Sequence, residues 1–321
     1  MTYEPVWGAI IAWYLFLAGL GGGAFCTSAI ASWLYPQAVK VRKIGRVIAL
    51  VTVCVGLALL MLDARAGFMH PWRFALLLDD LSSSVMSWGV VFLAVFIIIG
   101  LAVVIVEICD SRFRRANPDG VWAHRHPQLA KNGVRVPQWL NIAGVVFALL
   151  VAGYTGALLG VVSTFPLWNH PLLPVLFVVS ALSTGIASVV FCGELFAKDE
   201  VEALPVISRT HYGLVAVEMV LVALMLFVLN LQSTDAHATV MSLVAGKFSV
   251  QFWVLFVLIG LVLPFIVETW ELFCPAHANH RAIARGVSAL SEAGVMVGGF
   301  FLRYLIIVAA LPAGFMAGLV F

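Results

Sequence analysis

The chain has 321 residues, of which 63% are hydrophobic and only 11% charged, and its mean hydropathy is +1.06. A water-soluble domain of this size would expose an enormous apolar area at that composition, so an integral membrane protein is indicated. The net charge of +2 reflects loop asymmetry rather than a nucleic-acid partner, and lipid is the expected surroundings.

A hydrocarbon core about 30 Å thick needs about 20 apolar residues per helix. Eight runs reach that length, over residues 7–34, 46–63, 83–108, 139–163, 172–197, 207–231, 248–270 and 288–318. The alternation of a closed barrel is missing, so the spans read as helices and the fold as an all-α integral membrane protein. Fourteen of the 18 Lys and Arg lie at 40–46, 112–135, 198–209 and 281–285, all on one side if the N-terminus is outside. Only Arg65, Arg73 and Lys247 lie on the other side, and Arg303 is inside a span. The positive-inside bias therefore puts both termini outside.

In chain order, the first span carries Tyr14 and then "LAGLGGGAF", with Gly19, Gly21, Gly22 and Gly23 opening the backbone to a helix or a flat ligand. It has neither a basic n-region nor an A-x-A-like cleavage site, so no removable signal peptide is expected. The second span delivers Asp63 to an outer loop, "DARAGFMHPWRFALLLDD", that also holds Arg65, His70, Arg73, Asp79 and Asp80.

The third span opens on "SVMSW" and ends at Glu107, and the seventh opens on "SVQFW" and ends at Glu268. That recurrence suggests two similarly oriented four-helix halves, 1–163 and 164–321. The fourth span contains "VAGYTGALLG". At 1.5 Å per residue Tyr154 lies roughly 22 Å from its inner end, and Tyr14 lies about 10 Å in from the outer end of the first span. The two phenols thus share a depth, with Thr155 beside one of them.

Charges inside spans are costly in hydrocarbon. Glu218 in the sixth span and Arg303 in the eighth read either as a structural ion pair or as a proton path. Glu107, Glu194 and Glu268 read as solvated helix ends. The five cysteines are scattered without a CxxC pair, so no iron–sulfur, zinc or other metal site is assigned. Of eight histidines only His211 is near a span, which disfavours an intrinsic haem.

An amphipathic slot with phenol donors, an apolar floor and ionisable groups near water suits a quinone head. The segments "YLFLAGLGGGAF", "HPWRF", "SSVMSWG", "YTGALLGVVSTFPLWNHPLLPVLFVVSALSTGIA", "RTHYGLVAVE" and "GGFFLRYLIIVAA" resemble the NrfD/polysulfide-reductase membrane-subunit family over nearly the whole chain. The resemblance implies an eight-helix subunit of the bacterial cytoplasmic (inner) membrane. It would bind menaquinone or ubiquinone towards the periplasmic face and carry no haem or iron–sulfur cluster of its own. Its electrons would pass to or from a periplasmic ferredoxin-like iron–sulfur subunit, with a molybdopterin or multihaem catalytic subunit beyond.

By the resemblance Tyr154 contacts the quinone head, and the first span from Tyr14 through Gly19, Gly21 and Gly22 lines the same pocket with Thr155 and Arg65. Asp63 and His70 are the expected proton acceptors. The turn "DARAGFMHP" is longer than the family's usual one and puts His70 where an arginine is common. Two further readings of the buried charges stand beside this one: a secondary transporter with a Glu218–Arg303 coupling pair, and a purely structural anchor.

Overall fold

A computed structural model describes residues 7–63, 85–116, 136–273 and 281–312. The described chain is helical, and eight helices are long and apolar enough to cross a membrane. They are α1 Ala9–Leu34, α2 Val39–Asp63, α3 Val85–Ala116, α4 Gln138–Gly160, α5 Leu172–Phe196, α6 Pro205–Gln232, α7 and α8 Arg281–Val308. The seventh, α7, runs as a π-helix over Gln251–Val262 and as an α-helix over Leu263–Phe273. In lipid a helix is the economical choice, because each apolar run satisfies its own backbone N–H and C=O groups.

The helices differ from the sequence reading at four points. The second helix starts at Val39 rather than 46, so Arg42 and Arg46 sit in its first turns and are buried rather than loop residues. The third runs on to Ala116. The seventh and the short helix Thr234–Val244 before it are separate elements, the latter capped by the Ser233 side chain, which accepts from the Ala236 N–H. The eighth helix stops at Val308 instead of reaching 318. Pro312 restrains Leu311 to non-helical backbone, and the Leu311 N–H donates to Thr239 Oγ1.

The most buried span, α1, packs against α2, α4, α5 and α8. Its glycines explain how one helix serves four neighbours. Successive residues turn 100°, so Gly21, Gly22 and Gly23 each face a different helix. A Cβ at Gly21 would meet Thr52 and Val53 of α2, one at Gly22 would come within 2.9 Å of the Ala148 carbonyl of α4, and one at Gly23 would overlap the Ala181 carbonyl of α5. Gly19 faces Arg303 of α8 and Ala181. Without a hydrophobic drive between helices in lipid, such close backbone approach supplies the packing.

One face of the bundle gathers the start of α1, the ends of α2, α4 and α8, and the start of α3. Trp7 stacks on Trp168 at 5.0 Å, and Trp168 Nε1 donates to the Ile306 carbonyl at 2.7 Å. At the other face Glu200 of the short helix Lys198–Val201 accepts from the Lys40 and Val41 N–H groups, capping α2 with a carboxylate at its positive end.

Candidate functional site

At the first of these faces α1, α2, α3 and α4 leave a cavity of about 280 Å³ between them. Tyr14 and Leu15 come from α1, Leu57, Met61 and Asp63 from α2, Met86, Gly89 and Leu93 from α3, and Tyr154 and Leu158 from α4. The lining is almost wholly apolar, with two phenols, one carboxylate and the edge of Trp7 as its polar equipment.

Each polar group arrives for a local reason. Tyr154 is 8% exposed, and its ring occupies the space that the missing side chain of Gly89 leaves on α3. Phe92 meets the ring edge-on at 6.5 Å. The phenol lies 3.5 Å from the Met86 carbonyl, the far limit of a hydrogen bond. Its O–H is therefore available to a stronger acceptor in the cavity. Tyr14 is 4% exposed and lines the same cavity from α1. Asp63 is the last residue of α2 and is exposed at the mouth.

Thus three of the residues singled out from the sequence, Tyr14, Asp63 and Tyr154, line one cavity. Gly19, Gly21, Gly22 and Thr155 do not line it: the glycines face other helices, and Thr155 donates to the Ala152 carbonyl at 2.7 Å within its own helix. Arg65 and His70 lie outside the described residues. Gly89, Met86 and Trp7 were not anticipated. A glycine next to "SVMSW" was the available signal, readable only once the partner ring was known.

Glu218 and Arg303 lie away from this cavity. Arg303 is fully buried, donating from Nη1 to Ser180 Oγ at 3.1 Å and to the Gly299 carbonyl at 2.7 Å. Its guanidinium also sits over the Phe177 ring at 5.2 Å and the Phe16 ring at 5.9 Å. Glu218 is buried in α6.

Two glutamates expected at solvated helix ends are instead buried. Glu107 pairs with Arg46 and, at 3.2 Å, with Arg42, while Arg46 Nη2 donates to Asn141 Oδ1 at 3.1 Å. Glu268 faces His211 at 2.9 Å. The burial of Glu107 became possible because it met two guanidinium partners from another helix, which a linear sequence does not reveal.

Known proteins similar to this chain point the same way. The family model described as polysulphide reductase, NrfD, matches residues 1–313. A polysulfide reductase polypeptide of Wolinella succinogenes is 30% identical over 310 residues, 93% of each sequence. Protein NrfD of Escherichia coli is 27% identical over 322 residues, 95% of this chain and 94% of that one. A selenate reductase subunit of Mesobacillus selenatarsenatis is 26% identical over 215 residues, 61% of this chain and 50% of that one.

Proposed function

The chain belongs to the NrfD polysulphide reductase family and is a multi-pass membrane protein, and from that premise we propose that it is the membrane subunit of a respiratory oxidoreductase complex. In this reading it exchanges electrons between the quinone pool and an iron–sulfur subunit docked on the extracytoplasmic face. A molybdopterin or multihaem catalytic subunit stands beyond that partner. The positive-inside bias supports an outward-facing cavity, and in this reading the membrane is the bacterial cytoplasmic one.

The observation that carries the proposal is the cavity itself. Its volume of about 280 Å³ is near the lower bound of ligand pockets, roughly 300 Å³, and suits a single ring head with its tail in lipid. A menaquinol or ubiquinol supplies two electrons and two protons per oxidation. The apolar walls from α1 to α4 exclude water from the ring. The Tyr154 phenol, whose bond to Met86 is long, orients one head oxygen by hydrogen bonding, and Tyr14 holds the opposite wall. Asp63, exposed at the mouth, takes a proton and releases it to water; His70 is the second acceptor proposed. Glu218, Ser180 and Arg303 lie outside this route and fasten α5, α6 and α8. A proton path through them is the competing role, and Glu218→Gln separates the two: wild-type turnover with a lowered Tm fits the fastening role.

The test is purification of the native complex in mild detergent with quinone extraction and quinol kinetics. Bound quinone, iron–sulfur absorbance from a co-purifying subunit and a lowered quinol turnover in Tyr154→Phe are expected. A lone chain with neither quinone nor partner would overturn the proposal and favour a transporter centred on Glu218 and Arg303.

A further inference from the structure

In the other quartet of helices, remote from the cavity, His211 of α6, Glu268 of α7 and Glu292 of α8 converge in the interior, with 1%, 8% and 6% exposure. His211 Nδ1 lies 2.9 Å from Glu268 Oε1 and 3.4 Å from Glu292 Oε1. One nitrogen or oxygen from each residue falls within 4.8 Å of the other two. The opposite ring nitrogen, Nε2, is 3.4 Å from Ser183 Oγ of α5.

The hydrogen-bonding pattern leaves this cluster incomplete. Neither Glu268 oxygen has a donor, and neither does Glu292 Oε2, although all three atoms are buried. The short Nδ1 approach to Glu268 is therefore not accompanied by an N–H directed at that oxygen. A buried carboxylate without a donor is expensive, and two side by side are more so. That cost falls if the carboxylates take up protons or if a positive charge lies among the three side chains. A single imidazolium would leave the pair of carboxylates one charge short, whereas a divalent ion neutralises both.

We propose that His211, Glu268 and Glu292 form a binding site for one divalent transition-metal ion. Ligand atoms 2.9 and 3.4 Å apart are the spacing expected around an ion held about 2.0–2.2 Å from nitrogen and oxygen ligands. One imidazole with two carboxylates suits zinc, iron(II) or manganese rather than a thiolate-seeking metal. With the ion on Nδ1, the Nε2–H would donate to Ser183 Oγ, 3.4 Å away, and the Nδ1 lone pair would face the carboxylates. The ion ties α6, α7 and α8 together, a role separate from the quinone cavity.

The test is elemental analysis of the full-length chain in mild detergent, with whatever subunits co-purify. Wild type should hold stoichiometric zinc or manganese, or iron in excess of the variants. Glu268→Gln and Glu292→Gln should each lower that metal about tenfold or more, since even outer-shell changes cost about 10–100-fold in affinity. As a measurement needing no variant, chelator-treated wild type titrated with Co²⁺ should develop saturable d–d absorption and regain its Tm. Metal content unchanged in both variants puts the ion elsewhere and overturns the site. Wild type without metal, and without a saturable Co²⁺ response, also overturns it and leaves a protonated cluster in its place.

Discussion

Gly89 of α3 stands directly against the ring of Tyr154 of α4, so close that a Cβ on the glycine would overlap the phenol carbons. The phenol thus keeps its aim into the cavity because its neighbour has no side chain. Gly89→Ala should force the ring inward or the helices apart. Overpacking of this kind costs about 1–3 kcal/mol, read as a lower Tm. Quinol kcat/KM should fall further than in Tyr154→Phe, where one hydrogen bond worth about 1 kcal/mol is lost, roughly a fivefold effect. Wild-type kinetics in Gly89→Ala would remove Tyr154 from the binding wall.

A second glycine contact bears on assembly rather than chemistry. A Cβ at Gly185 of α5 would run into the backbone at Gly23 and Ala24 of α1. Because backbone cannot move as a side chain can, Gly185→Ala should destabilise by about 3 kcal/mol or more, at the top of the overpacking range. Gly213 of α6 has nothing within 4 Å of a built Cβ, so Gly213→Ala serves as the control with little change in Tm. Equal melting of the two variants would contradict the tight α1–α5 crossing.

The spans were legible because hydrocarbon thickness imposes a length that composition alone displays. Tyr14 and Tyr154 could be matched in depth by counting 1.5 Å per residue, Asp63 fell at the outer end of its span, and the cavity unites the three. Rotation about each helix axis was less readable: with glycines at four positions of α1, sequence could not say that they face four neighbouring helices. Glu292, in "ALSEAGVMVGG", passed unremarked although a carboxylate among small apolar residues was a usable signal. Its partner His211 was visible only as a histidine near a helix end, since the contact between them joins residues 81 positions apart.

Glu107 offers a test of the buried charge cluster at the opposite face. It accepts from Arg42 and Arg46, and Asn141 takes a further Arg46 donor. Glu107→Gln leaves two buried guanidinium groups with a neutral partner. Removing one member of a buried pair costs about 3–5 kcal/mol. The lower end applies here, because a polar cavity of about 300 Å³ lined by Ser32, Arg42, Arg46 and Asn141 admits water beside the pair. Thermal unfolding in detergent measures the loss, and Glu107→Asp should recover part of it. An unchanged Tm in Glu107→Gln would mean that solvent already screens the cluster.

His170, in the connection between α4 and α5, gives a pH signature. It is 5% exposed, and burial holds its imidazole below the ordinary value of 6.5. Its Nδ1 accepts the Leu172 N–H at 3.3 Å, a bond that requires the neutral ring. The unfolded chain therefore binds this proton more readily than the folded chain does. By linkage, stability rises with pH wherever the unfolded state binds more protons. The His170 contribution is complete above 6.5 and is lost as pH falls through that value towards the lower folded one. Tm measured between about pH 7.5 and 5.5, the interval in which an ordinary histidine titrates, should decline on the acid side. His170→Asn keeps a side-chain acceptor for the Leu172 N–H without a titrating ring, so it should flatten that decline. A variant whose Tm falls as steeply as wild type over the same interval would assign the acid sensitivity to other groups.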